Sequence, residues 1–297
     1  MKVVLTNLSN ELYASSRHRL NDSAKKYGIE DIRSYDFEDI RNTDFFRQHE
    51  HILTQPRGLG YWLWKPYLIL KAMETLQDGD IVIYCDCGLD FIADINPLIK
   101  ICKEQPVLLF ANGNLFNSAW VKRDCFILMD CDNERYWKSL QVDAAFNMYR
   151  KSKEAIHFLE EWLRYGSDER IITDLPNTCG KENLPDYIEH RWDQAILSLL
   201  AHKMNIELYR VPTQFGNHYK TEAFRVKGEF NCVNQLKQKQ VRYYSKNTYE
   251  NSPYFQLLNH HRSKDNQAPV QPPTLMEQVI DFVKKSFGFI KRKLKIK

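Results

Sequence analysis

The 297-residue sequence is 43% hydrophobic with sixteen Tyr, sixteen Phe and six Trp, enough apolar and ring mass to bury a core in one large domain or two unequal ones. Its net charge of +4 is unevenly placed: 275–297 holds seven Lys or Arg against Glu277 and Asp281, which leaves the first 274 residues near −1 and excludes a basic nucleic-acid-binding body. No run of about twenty apolar residues is present to span a membrane, and the seven Cys, without a CxxC pair, read as thiols of a reducing cytoplasm rather than a disulfide framework or zinc site.

The opening MKVVLTNLSNELY is too short in its apolar part for a secretory signal and reads as a first strand over Val3 to Thr6, with a polar turn at Asn7, Ser9 and Asn10. A helix is expected from Tyr13 to Lys26, ended by Gly28, then a short strand from Ile32 to Tyr35. This order begins an α/β layer, but without a GxGxxG or GxxxxGK signature it speaks against a dinucleotide cofactor or a P-loop ATPase. Arg17 and Arg19 either hold a diphosphate or are solvated surface residues.

Gly58 to Pro66 reads GLGYWLWKP. Its glycines permit a tight backbone, Tyr61, Trp62 and Trp64 supply rigid faces, and Lys65 one cation, so the segment is expected to line a site before a helix from Tyr67 to Leu76. Gly79 to Asp90, GDIVIYCDCGLD, follows: a turn, a continuous apolar run as in a buried parallel strand, and Asp86 at its carboxyl end. Ligands of open α/β sheets bind beyond those ends, so Asp86 either caps the next turn or holds a bound metal or phosphate. A helix near Pro97 to Cys102, strands at Val107 to Ala111 and Phe126 to Met129, and a polar loop to Gln141 come next. Ala155, Phe158, Leu159 and Trp162 then mark a packing helix over 152–165.

Asp168 to Leu184 is loop-rich and long enough for a flexible wall of a site. EHRWDQAILSLLAHK places His190, Arg191, Asp193 and Gln194 at the opening of a helix with Ile196, Leu197, Leu199 and Leu200 on its buried face. Asp193 there suits a general base or an anchor for a sugar hydroxyl, beside the plainer role of an acid in a first helical turn. Ile206 to Val211 reads as a late edge strand. His218, Tyr219 and Lys220 follow in a loop able to close over a diphosphate, with His260 and His261 as a competing pair. NQAPVQPP is a linker, and beyond it Met276, Ile280, Val283, Phe287, Ile290 and Leu294 share one side of a polybasic amphipathic helix suited to an anionic membrane surface or, alternatively, to docking on its own domain or a partner enzyme.

GYWLWKP, GDIVIYCDCG, the Trp120 to Lys122 segment with Gln141, and HRWDQAILSLL, in this order, resemble bacterial glycosyltransferases of the GT-A fold associated with capsular and other surface polysaccharides. The resemblance covers roughly residues 1–220 and implies a Rossmann-like, mixed and mostly parallel α/β sheet flanked by helices; with the composition of the C-terminal part, the chain divides into a catalytic domain over 1–258, a linker over 259–274 and a cationic helix over 275–297. It implies transfer of a sugar from a nucleoside diphosphate sugar, a UDP-sugar first, to a hydroxyl of a surface glycan or lipid-linked acceptor, on the inner face of the cell membrane. Asp193 would be catalytic. Arg17, Tyr61, Trp62, Trp64, Lys65, Asp86 and Lys220 would bind the donor, and Gln141, His190, Arg191 and Gln194 the acceptor or sugar. Asp86 and His218 would hold Mn²⁺ or Mg²⁺, although the Asp-x-Asp motif falls on Asp86, Cys87 and Gly88 and lacks its second carboxylate, with Asp90 or water to compensate. The alternative is a nucleotide-sugar-binding protein without turnover, or a structural component of a polysaccharide assembly complex.

Overall fold

The computed structural model describes residues 1–216, 226–230, 241–245 and 250–261. Its centre is a seven-stranded sheet in the order β2-β1-β3-β7-β5-β6, with β8 also on β5. The strands are β1 (Val3–Leu8), β2 (Asp31–Tyr35), β3 (Ile81–Cys85), β5 (Val107–Phe116), β6 (Leu140–Val142), β7 (Phe146–Arg150) and β8 (Leu208–Arg210). β1 pairs in parallel with β2 and β3, and β5 in parallel with β8, while β7 is antiparallel to β3 and β5 and β6 is antiparallel to β5. Only β6 and β7 therefore run against the others. This is the mixed, mostly parallel, Rossmann-like α/β sheet expected from the sequence.

β4 (Leu89–Phe91) pairs off the sheet with β11 (Leu258–His260), and β9 (Val226–Phe230) with β10 (Val241–Ser245). Five helices have nine residues or more among the described residues: α1 (Ala14–Lys26), α2 (Trp64–Glu74), α3 (Asn96–Glu104), α4 (Lys153–Gly166) and α5 (Trp192–Lys203).

All five residues of β3 are buried, and the strand's period of two divides them between two cores. Val82 and Tyr84 face a core with Leu68 of α2, Phe158 of α4 and Ile196 of α5. Ile81, Ile83 and Cys85 face the other, with Leu20 of α1 and Leu98 of α3. Tyr84 is thereby set against α2 and α5, the helices that carry Lys65 and Asp193. Both helices are buried on more than one face: Lys65 and Pro66 lie inside as well as Leu68 and Ile69, and in α5 everything from Ala195 to Ala201 is buried.

Several expectations change. Phe126 to Met129 is not a strand: Arg123–Leu128 is helical, with Cys125 and Phe126 buried on one side. α2 begins at Trp64, so Pro66 lies within its first turn, where its missing N–H costs nothing. The wall at 168–184 is fastened down rather than loose: Lys122 Nζ donates to the carbonyls of Thr173 and Leu175, and the Asp124 carboxylate accepts from the N–H groups of Thr178 and Cys179. Asn259 and His260 pair with Asp90 and Leu89, so they belong to the body and not to a linker starting at 259. The helix expected over 275–297 lies outside the described residues. No helix among them is long and apolar enough to cross a membrane.

Candidate active site

Beyond the carboxyl end of β3 lie two cavities separated by a shared wall. The larger, about 530 Å³, is bounded by Ser9, Asn10 and Tyr13 after β1, by Gly58, Leu59, Trp62 and Trp64, and by the turn Asp86 to Leu89. The smaller, about 190 Å³, is bounded by Lys65, Asn112, Asp143, the run Arg191 to Gln194, and Thr213 and Phe215. Trp62, Asp86, Ala145 and His260 border both.

The wall is held by one buried cation. Lys65 Nζ lies 3.2 Å from Asp86 Oδ1 and 3.1 Å from Asp193 Oδ2, and donates to the Ala144 carbonyl at 3.1 Å. One N–H of the ammonium is thus given to a carbonyl, and the two carboxylates are its ion-pair partners. Tyr84 Oη adds a 2.5 Å hydrogen bond to Asp86 Oδ1. Burial by itself would lower the Lys65 pKa, but Asp193 and Asp86 hold it above its ordinary value, so the charge stays on. Burial and Asp86 push Tyr84 well up, which keeps it a phenol donor. Burial also raises Asp193, against the pull of Lys65, to about 6. Asp86 is the outermost of the three, its side chain one-third exposed, whereas Asp193 is 6% exposed.

The face of Trp62 comes from an unusual backbone. Gly58, Leu59, Gly60, Tyr61 and Trp62 all have positive φ, between 53° and 87°, one turn of left-handed helix closed by Tyr61 N–H to Arg57 O and Trp62 N–H to Gly58 O. Each non-glycine residue there costs about 1–2 kcal/mol. Packing compensates: Trp64 Nε1 donates to Gly58 O, and Gly60 rests so near Leu53 that a Cβ would meet its Cα at 2.5 Å. Trp62 then meets Trp192 at a ring separation of 5.3 Å. Trp192, also at positive φ, is fixed by its Nε1 bond to Asp174 and by the Arg57 guanidinium over its ring at 4.5 Å.

Of the residues expected at the site, Trp62, Trp64, Lys65, Asp86, Arg191, Asp193 and Gln194 border a cavity. Gln141 lies one step behind, accepting from Gln194 Nε2 at 2.8 Å and donating to Asn117 Oδ1 at 2.6 Å, so it aligns Gln194 without bordering a cavity. Tyr61 is turned into the core. Arg17 is a correction: it pairs with Asp36 at 2.6 Å and borders neither cavity. His190 is another. It is buried, its Nδ1 accepts from Lys122 N–H, its Nε2 reaches Ile171 O, and burial lowers its pKa to about 3, so it is a neutral structural ring. Lys220 and His218 lie outside the described residues. His260, the sequence's competing candidate to His218, borders both cavities, and Ser9, Asn10, Asn112, Asp143 and Thr213 border one of them without having been selected from the sequence; the polar turn after β1 was the available signal for the first two.

Of the two ligands the resemblance implies for Mn²⁺ or Mg²⁺, Asp86 alone lies among the described residues, and those residues by themselves do not fit a dication site. Hard dications need several oxygen ligands, yet among the described residues no three His, Cys, Asp or Glu side chains converge. Gly88 offers no carboxylate. Asp90, the expected compensation, is tied to Arg19 at 2.7 Å. Oδ1 of Asp86 is already shared by an ammonium and a phenol.

No protein-family model matches the chain, and the comparison with curated proteins finds no match. Solved structures give weak likenesses. Mouse xyloside xylosyltransferase 1 in its apo form aligns over 91% of this chain and 99% of its own, at 10% identity and a TM-score of 0.46. The galactosyltransferase LgtC in complex with donor and acceptor sugar analogues aligns over 95% and 94%, at 12% identity and 0.44. The apo-form glycosyltransferase GlyE of Streptococcus pneumoniae TIGR4 aligns over 91% of this chain and 57% of its own, at 14% identity and 0.38.

Proposed function

We propose that this chain is a glycosyltransferase that moves a sugar from a nucleoside diphosphate sugar to a hydroxyl of a glycan or lipid-linked glycan of the capsular or surface type. The observation that carries the reading is the pair of adjoining cavities with Asp86 and Trp62 in their common wall and Asp193 in the smaller one. The larger is of the size that takes a nucleotide. The smaller, opening on Trp192 and the exposed ring of Phe215, suits a sugar ring laid against aromatic faces.

In the reaction the bond from the anomeric carbon to the diphosphate oxygen breaks, and its electron pair leaves with the phosphate. A bond to the acceptor oxygen forms at the same carbon. On inversion, Asp193 takes the acceptor proton; on retention, the departing diphosphate takes it and Asp193 orients the sugar. Trp62 shapes the donor side, and Gln194, aligned by Gln141, supplies an amide to hydroxyls. The anomeric configuration of the product, read by NMR, chooses between the two roles of Asp193.

Acceptor-dependent release of nucleoside diphosphate, screened over a panel of donors with UDP-sugars first, tests the reading. Tight nucleotide-sugar binding with no release on adding acceptors would favour a binding protein instead. The cationic segment 275–297 completes the proposal as a tether to the inner membrane face. Its deletion should leave transfer to soluble acceptors intact and abolish salt-sensitive binding to anionic vesicles.

A further inference from the structure

The carboxylate at the end of β3 already has its counter-ion, and that ion is part of the chain. We infer that this site works without a divalent cation at Asp86, because the Lys65 ammonium already pairs with both Asp86 and Asp193 as their counter-ion. The inference rests on the glycosyl-transfer reading.

Four observations carry it. The ammonium is enclosed: Asp86 and Asp193 pair with it at 3.2 and 3.1 Å, it donates to the Ala144 carbonyl at 3.1 Å, and its side chain is 3% exposed. It is therefore a fixed charge with no freedom to withdraw when a second cation arrives. A dication seated on Asp86 would stand one carboxylate away from this buried ammonium, close enough for the two like charges to repel. Next, Tyr84 donates to the same Asp86 oxygen, so Oδ1 has both a cation and a phenol before any ligand enters. Third, the ligand two residues on is absent, since position 88 is glycine. Fourth, Asp90 borders neither cavity, and its Oδ2 takes two hydrogen bonds from Arg19, at 2.7 and 3.1 Å, so it does not stand beside Asp86 to replace it.

The consequence is a changed role for Asp86. With one oxygen saturated, the carboxylate serves as a hydrogen-bond acceptor for a donor hydroxyl, and Lys65 offsets one of the two negative charges that would otherwise repel the diphosphate. Lys65 is a positioning residue: it acts on the donor through Asp86 and Asp193.

Two measurements on the full chain test this. The first is donor turnover with and without EDTA. Rates should agree within about twofold, whereas a loss of about a hundredfold or more, restored by Mn²⁺, would overturn the inference. The second is Mn²⁺ titration by EPR in the presence of UDP, which reads the metal independently of activity. Wild type and Asp86→Asn should leave the same fraction of Mn²⁺ free; a bound ion seen in wild type and lost in Asp86→Asn would overturn it. Lys65→Met, which keeps the stem and removes the charge, should leave two unopposed carboxylates and gain about tenfold in Mn²⁺ affinity. A folded Lys65→Met with no gain would contradict the substitution of ammonium for metal, and if that variant does not fold, the comparison of wild type with Asp86→Asn decides. If no donor is turned over, the glycosyltransferase reading fails by itself, while the EPR comparison still decides whether Asp86 binds a dication.

Discussion

The end of β3 and the turn from Gly58 to Trp62 meet in one cavity wall and reach it by opposite means. β3 is regular and wholly buried, paired on both sides, and Asp86 falls just past its last residue with its N–H bonded to Ala145 O. The turn runs left-handed for five residues, three of them not glycine, and holds only because Trp64, Leu53 and Trp192 press on it. Regular structure thus carries the chemistry, while a strained segment gives the pocket its shape. Substitution at Asp86 is expected to remove activity at little cost in stability, and substitution in the turn to reach activity only through the fold.

The largest effect should come from the ion that joins the two regions. Lys65→Ala leaves the buried Asp193 carboxylate without its counter-ion, beside the partly exposed Asp86, and should lower unfolding free energy by about 3–5 kcal/mol, measured by urea denaturation. A loss below about 1 kcal/mol would mean that the ammonium does not organise the wall. Gly60→Ala comes next. It adds a Cβ at φ +87° and 2.5 Å from the Leu53 Cα, so conformational strain and crowding together should cost about 2–4 kcal/mol. Gly79, which introduces β3 with a similar φ of +91°, has nothing within 4 Å of such a Cβ. Gly79→Ala should therefore show the strain alone, about 1 kcal/mol. Equal losses at the two glycines would refute the claim that the turn is held by close packing.

Acidity separates function from stability at Asp193. Its folded pKa of about 6 is above the ordinary 3.8, so the protonated form favours folding. This contribution is fully present below about pH 4 and is lost as pH rises through about 6. Turnover should run the other way and increase through about pH 6 as the carboxylate ionises. Asp193→Asn should flatten the stability profile between those limits, and an unchanged slope would assign the titration to other groups.

How much was legible in the sequence follows the same division. The strand IVIYC, its terminal Asp86 and the buried helix after HRWDQ could be read because period and burial act locally. GLGYW announced a tight backbone, but five successive left-handed residues depend on contacts with Leu53 and Trp192, distant in the chain or fixed only by packing. His190 appeared as polar as Arg191, yet it is enclosed between Lys122 N–H and Ile171 O, partners 68 and 19 residues away. Arg17 was lost to Asp36 for the same reason. Lys65 could be assigned to the site but not to its role, since a lysine's pairing with two carboxylates at positions 86 and 193 exists only after three elements have packed.

The central claim is most directly tested by acceptor-dependent release of nucleoside diphosphate from wild type and Asp86→Asn, with their melting temperatures compared. The account predicts turnover by wild type, a loss of about 10²–10³-fold in the variant and nearly unchanged melting. Turnover by Asp86→Asn equal to wild type, or no turnover by either despite bound nucleotide sugar, would contradict it.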